Sequence, residues 1–504
     1  MELEVFYKKL IENSNPTRVK VKFSNFSGGV NKDIDENLLP FSYAVKAYNL
    51  SYKNKALNVG LGFKNLALPN SSGIGERDII APYTNVKVLG CWLFRYFSDF
   101  NNAQLDYYFI YCDNLKIYYN IVIGMGSPWA GFMNFTYASK PTPIVHKYND
   151  SDCMVLACED DYLAIWDGIN DPVKIANTLN LTSLCIHYER LFASIGGKKN
   201  LVRFSDDYDL INWTETAETG GYIELVDERG KINKVISFND YVYIIRDLGI
   251  SRLSAYSSQD TFSVTNLYLS SSQIYDKTVA VCGDVVLMLC SDGLYYFTGT
   301  SAYKLDLKIN DMLVKDYLNK AIACFYNGKY YLACRLDFFD DKSILCENET
   351  DYVNNALIEY DIDTETYIIT RGVDICNMTP FVTDYMNKLV VCFNGEQSNK
   401  IGELTHDGTF FGTPMEKEWA SPMTDLGYPD KTKIIRELHV LVKFDCKITV
   451  STDLESKEFL FEGSLTPQRV CPNIKGKLVS LNFEGASEKF YVSNPNLVID
   501  LIDD

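Results

Sequence analysis

The four histidines of the chain, His146, His187, His406 and His439, are where acid–base or metal chemistry would first be sought. They share no metal-ligand spacing, and no His-Glu-x-x-His, Cys-x-x-Cys or Gly-x-Ser-x-Gly occurs to supply a zinc site or a hydrolase elbow. His187, three residues before Arg190, reads as a structural strand residue rather than a general base. Asp361-Ile-Asp363-Thr-Glu365 alternates oxygen ligands as a calcium loop does, yet it lacks the Gly and the distal Glu that complete one, and it reads as a solvated hairpin turn. Gly73-Ile-Gly75 and Gly124-Met-Gly126 lack the strand-to-helix context and the Lys of a phosphate loop, and read as turns.

The five tryptophans, Trp92, Trp129, Trp166, Trp213 and Trp419, could stack on pyranose faces, but packing between sheets is the simpler role. No basic tract interleaves them, as a single-strand nucleic-acid platform requires. Ser205-Asp206-Asp207-Tyr208-Asp209, leading to Trp213, loosely resembles the Asp-box turn of sialidase propellers. In that turn Ser and Asp side chains tie a hairpin through backbone hydrogen bonds. The customary Gly is missing and the motif occurs once. No catalytic, cofactor-binding or metal-binding set emerges, so the expectation is a protein that is not an enzyme and holds no cofactor or metal.

These residues must be carried by strands. Thirty-five Tyr and 28 Phe in 504 residues favour pleated, half-buried surfaces, and 47% hydrophobic against 23% charged residues suffices for sizeable cores. The net charge of −18, from 66 acidic and 48 basic residues, makes the average surface repel nucleic acid and anionic lipid. The 14 cysteines, such as Cys91, Cys112, Cys185, Cys324 and Cys446, stand singly, many in apolar runs, and are expected to be reduced and buried. The start Met1-Glu2-Leu3-Glu4 lacks a basic segment leading into an apolar one, and no apolar run nears 18 residues. Neither secretion nor membrane insertion is expected, and synthesis is placed in a reducing cytoplasm.

Along the chain, residues 1–84 read as an N-terminal arm and wrapping segment, with a short helix around Val5 to Ile11 and a locally basic start that includes Lys8, Lys9 and Arg18. From 85 to 415 short β-rich runs recur with polar turns between them, Asn327-Gly328 being the plainest hairpin signal. Blades of about 40–50 residues give a β-propeller of roughly seven blades, with six possible. Residues 416–504 show strict alternation, with Leu438, Val440, Val442 and Phe444 on one face, and read as a C-terminal β-sandwich. The fold class is therefore all-β. The self-closing propeller is expected to stay folded and soluble when 417–504 are deleted, and residues 1–80 and 417–504 to make most contacts between subunits.

The wording of three segments adds a resemblance. Asn25-Phe26-Ser27-Gly28-Gly29-Val30-Asn31 comes first, with Leu39-Pro40 and Gly60-Leu-Gly62-Phe63 after it. His187-Tyr-Glu-Arg190-Leu-Phe192 follows with Phe204-Ser205-Asp206 and Asn212-Trp213, then Tyr241-Val-Tyr-Ile-Ile-Arg246-Asp-Leu-Gly249-Ile-Ser-Arg252-Leu. In this order they resemble the tail-nozzle, or packaged-DNA stabilisation, proteins of tailed bacteriophages, from about residue 23 to the end. The resemblance implies a structural virion protein of a phage or prophage tail, assembled in the host cytoplasm. It implies a homo-oligomeric ring of six copies below portal and adaptor proteins, which retains packaged DNA and later conducts it without binding it specifically. Two other classes remain open: a receptor- or glycan-binding propeller (an adhesin) and a glycan hydrolase.

Overall fold

The computed structural model describes residues 17–503, apart from 24, 41, 71–74, 99–101, 125–128, 160–161, 176–179, 217 and 341–350. The expected helix at Val5–Ile11 and Lys8 and Lys9 of the arm lie outside the described residues.

Strand signals and turn chemistry combine into a ring. Asn149-Asp150, Asn239-Asp240 and Asn327-Gly328 hold both central residues at positive φ, the backbone of a type I′ turn that joins two strands without splaying them. Each of these turns links the first and second strands of a four-stranded antiparallel sheet. Six such sheets follow one another, over residues 88–136, 142–175, 181–224, 232–269, 280–304 and 322–371; they are blades 1 to 6.

Blade 7 is built differently. Ile375–Val382, Asn387–Phe393 and Ile401–Thr405 supply three strands, and the fourth is Gly62–Asn65 (β5). β5 runs antiparallel to Ile401–Thr405, with Leu404 opposite Phe63. A segment more than 300 residues away in sequence thus closes the circle.

Between neighbouring blades the sheet faces pack on one another. Among the described residues, seven separate apolar clusters each join one blade to the next. The cluster of Val88, Cys91, Ile110 and Cys112 from blade 1 with Phe381, Val390, Cys392 and Ile401 from blade 7 shuts the ring. Seven joints that return to their start define a seven-bladed β-propeller.

The second body is a β-sandwich with a core that includes Trp419, Ile435, Leu438, Val440, Ile448, Leu481, Phe483 and Ile499. Its larger sheet has seven strands and its smaller five. The chain before the propeller contributes to both. Thr17–Lys22 (β1) and Ala56–Val59 (β4) pair with Tyr491–Asp503, and Leu50–Lys53 (β3) pairs with β4. Lys46–Tyr48 (β2) pairs with Lys417–Ala420, Ala47 lying opposite Trp419.

The sequence reading drew the sandwich from C-terminal residues alone and set residues 1–84 apart as a wrapping segment. The strands show why that division does not follow the packing. Phe23, Phe26, Leu50 and Leu57 belong to the sandwich core, so both ends of the chain bury one apolar surface together. The expectation that a chain lacking 417–504 would stay folded and soluble is corrected accordingly, because the deletion would strip strand partners from β1, β2 and β4.

Candidate functional site: the axial channel

The innermost strands of the blades, Val88–Ser98, Thr142–Tyr148, Leu181–His187, Ile232–Phe238, Ala280–Cys282, Ile322–Tyr326 and Ile375–Val382, surround the propeller axis. Polar side chains stitch them across the joints. The Thr142 hydroxyl donates to the Thr182 carbonyl at 3.3 Å, and His187 Nδ1 lies 3.0 Å from Ser237 Oγ. Asn354 Nδ2 donates to the Ile375 carbonyl at 2.8 Å, and Thr379 donates to the Cys91 carbonyl at 2.8 Å. Burying such groups costs little once each is bonded, and every bond also fixes one blade against its neighbour.

Residues singled out in the sequence fall into this scaffold. His187 is buried, and burial lowers its pKa. His146 is half-buried on blade 2 and is also lowered by burial. His439 lies in the sandwich, 2.7 Å from Glu437, and His406 is exposed. The four imidazoles are not brought together, and among the described residues no group of three or more His, Cys, Asp or Glu could hold a metal ion.

Ser205 Oγ accepts from the Leu191 N–H at 3.0 Å and donates to the Asp206 carbonyl at 2.8 Å. Arg190 donates to the Ser205 carbonyl, Asn212 Nδ2 to Asp206, and Trp213 Nε1 to the Leu210 carbonyl. The Asp-box-like segment is a locked turn of blade 3. Asp361 Oδ1 accepts from the N–H groups of Asp363 and Thr364, which is a turn as well. Arg246 is 1% exposed and donates to Asp227 at 2.7 Å and to the carbonyls of Gly230 and Leu225. At Gly249 a Cβ would stand 2.4 Å from the Tyr268 carbonyl oxygen, so glycine is required there.

Trp92, Trp166, Trp213 and Trp419 are buried and pack, Trp92 flat on Phe109 and Trp419 on Phe483. The free aromatic surface is elsewhere. Tyr188, Tyr208 and Tyr256 are 43%, 72% and 68% exposed, with the rings of Tyr188 and Tyr256 5.2 Å apart. Tyr188 and Tyr208 both hold positive φ, which is rare for a bulky residue and marks backbone held by its surroundings.

The channel ends differ in charge. At the turns between first and second strands stand Asp150, Glu189, Asp240, Asp284 and Asp384; at the opposite end, where the inner strands begin, stand Lys87, Lys140, Lys231, Lys234, Lys277 and Lys320. Enclosure by the blades pushes the Lys140 and Lys234 ammonium groups below the ordinary lysine range. Sequence reasoning missed this mouth, because its lysines are separated by whole blades and only ring closure gathers them. Beside Lys140 the buried Cys91 and Cys392 thiols interact, which holds Cys91 down and Cys392 up. A cavity of about 90 Å³ lies between blade 6 and the sandwich, lined by Phe26, Val30, Leu50, Tyr367 and Trp419 among others, below the roughly 300 Å³ at which ligand sites usually begin; a more open cleft of about 610 Å³ lies on the sandwich, lined by Lys443, Phe444, Asp445, Ser487, Glu488 and Lys489 among others.

No protein family and no curated protein matches the chain. Among solved structures it is similar to BBS1N in complex with ARL6DN. The crystal soaked with mercury gives 9% identity and a TM-score of 0.39, covering 68% of this chain and 97% of that one. The lead-soaked crystal gives 9% and 0.41 at the same coverage. The Pan2 WD40 domain of Neurospora crassa gives 7% and 0.34, covering 64% and 95%. The propeller itself rests on the seven joints described above.

Proposed function

We propose that this chain is a structural protein of a phage or prophage tail, one copy of a ring that retains packaged DNA and then conducts it. The reading rests on the ordered motifs that resemble tail-nozzle proteins. The observation that carries it furthest is that those motifs are the joints of the architecture rather than surface decoration. Gly28 sits where a Cβ would meet the Ser42 carbonyl at 2.4 Å, Val30 accepts from the Tyr367 hydroxyl of blade 6, and Phe63, on the strand that completes blade 7, fills the joint between blades 6 and 7.

Lys140 reaches from the start of blade 2 over Gly90 of blade 1 to Asn377 of blade 7, so side chains occupy that mouth of the propeller. The conduit of this reading is the space enclosed by several copies. The sandwich offers a surface for joining them: Ser456–Phe461 ends the five-stranded sheet, and Leu454, Leu460 and Leu465 around it are 71%, 86% and 89% exposed. An edge strand with apolar neighbours invites pairing with another chain. Mass photometry of the full-length protein tests this. Six-copy rings that Leu460→Lys reduces to monomers are expected; a wild-type protein monomeric at every concentration and in virion extracts would count against the ring.

The exposed Tyr188, Tyr208 and Tyr256 beside Glu189 favour a second reading, a glycan-binding propeller, since aromatic faces stack on sugars and carboxylates accept their hydroxyls. Selective glycan-array binding that Tyr256→Ala removes would support it.

A further inference from the structure

All inner strands run in the same sense, so their first residues share one mouth of the channel. Lys87 and Lys140 stand just before the inner strands of blades 1 and 2, Lys277 and Lys320 just before those of blades 5 and 6, and Lys231 and Lys234 at the start of blade 4. Five of the six are exposed and Lys234 is half-buried. In a chain of net charge −18, none of the six has a carboxylate within ion-pair distance among the described residues.

The inner members converge. Lys140 donates to Asn377 Oδ1, and Lys234 donates to the carbonyls of Val279 at 2.8 Å and Asp276 at 3.2 Å. Lys140 feels the charge of Lys277, and Lys234 feels that of Lys140. The Asp276 carboxylate attracts Lys234, and Asp374 on the same side is spent on the N–H groups of Val353 and Asn354 and on Asn394 Nδ2.

Local geometry accounts for three acids of the other mouth, and among the lysines for Lys277 and Lys320, each in the last turn of a short 3-10 helix, but not for Lys87, Lys140, Lys231 and Lys234. Asp150 and Asp240 occupy type I′ positions at φ 61°, and Asp284 follows Gly283 at φ 67°, all places where Asp, Asn and Gly are favoured. None of the six lysines has positive φ. Like charges gathered in an enclosed mouth repel one another unless an anion joins them.

We propose that the lysine mouth of the propeller binds a small anion with closely spaced phosphates, held by the ammonium groups of Lys140, Lys234 and Lys277. Ammonium groups suit this task as compact charges with three rotatable donors. The site stands on the propeller alone and does not depend on the tail assignment.

The test is isothermal titration of the full-length protein with inorganic tripolyphosphate at low salt, pH 7, with a short single-stranded oligonucleotide as a second arm. The wild type is expected to bind tripolyphosphate saturably, one per chain, and Lys140→Gln/Lys277→Gln to weaken binding at least tenfold. Lys53→Gln/Lys475→Gln removes the same charge from the sandwich and should leave it unchanged. Lys277→Gln alone, at an exposed position, gives the same reading if the double variant folds poorly. Competition between the oligonucleotide and tripolyphosphate would identify a strand end as the natural ligand; its failure to bind would point to a free oligophosphate. Absence of saturable wild-type binding, or equal losses in both double variants, would overturn the proposal.

Discussion

At Arg246 one buried guanidinium ties Asp227, Gly230 and Leu225 to the second strand of blade 4. Arg246→Ala would take the buried guanidinium from the carbonyls of Gly230 and Leu225 and from Asp227, which keeps the Arg229 N–H and Asn266, and a loss of about 3 kcal/mol is expected in denaturant unfolding. A change below the measurement error would show that the tie is dispensable. The cysteines give a second residue-scale test. Cys471 is exposed and Cys376 half-buried, while the eleven other described cysteines are buried; burial pushes several up, Cys112 to about 12. Native alkylation read by mass spectrometry should therefore modify Cys471 first and spare the buried eleven. At this scale the sequence was legible wherever a residue's role is local. Asn327-Gly328 adopts the backbone its side chains favour, and Asp361 ties its own turn. The lysine mouth was not legible, because nothing in the spacing of Lys140, Lys234 and Lys277 says that ring closure will face them toward one another.

Among the elements, β5 and β1 carry the most consequence for their length. β5 has only four residues, yet it completes blade 7, and its Phe63 is fully buried against Phe393 and Phe410 at 5.4 Å and 6.0 Å. Phe63→Ala is expected to cost about 4 kcal/mol and to make the ring cleavable near its seam in limited proteolysis; unchanged protease resistance would mean that blade 7 closes without it. β1 is held at Asp500, where Arg18 donates at 2.7 Å and 3.2 Å and Arg436 at 2.7 Å. These bonds, Arg18 first, hold the Asp500 carboxyl down to about 2. Because the folded value lies below the unfolded one of about 3.9, the contribution is complete above roughly pH 4 and fades as pH falls toward 2. The melting difference between wild type and Asp500→Asn should shrink over that window, and a constant difference would exclude this linkage. The sequence showed most strands through alternation and turn signals. It hid β1 to β5 as members of distant sheets, since Gly60-Leu-Gly62-Phe63 has no alternation to declare a face and pairing over hundreds of residues leaves no local trace.

For the whole molecule, two bodies share both chain ends, so perturbing one end should be felt at the other. A chain lacking 417–504 is expected to expose the faces of β1 to β4 and aggregate, whereas one lacking both 1–59 and 417–504, but keeping β5, should remain a soluble propeller; circular dichroism and size-exclusion chromatography distinguish the two. The proposed place of the protein in a virion tail is checked on purified particles. Quantitative mass spectrometry and immunogold labelling of purified virions, released from a host that carries the coding sequence, should find the full-length chain at about six copies per particle, at the tail. Its absence from purified particles, while it is abundant in the same lysate, would contradict the assignment.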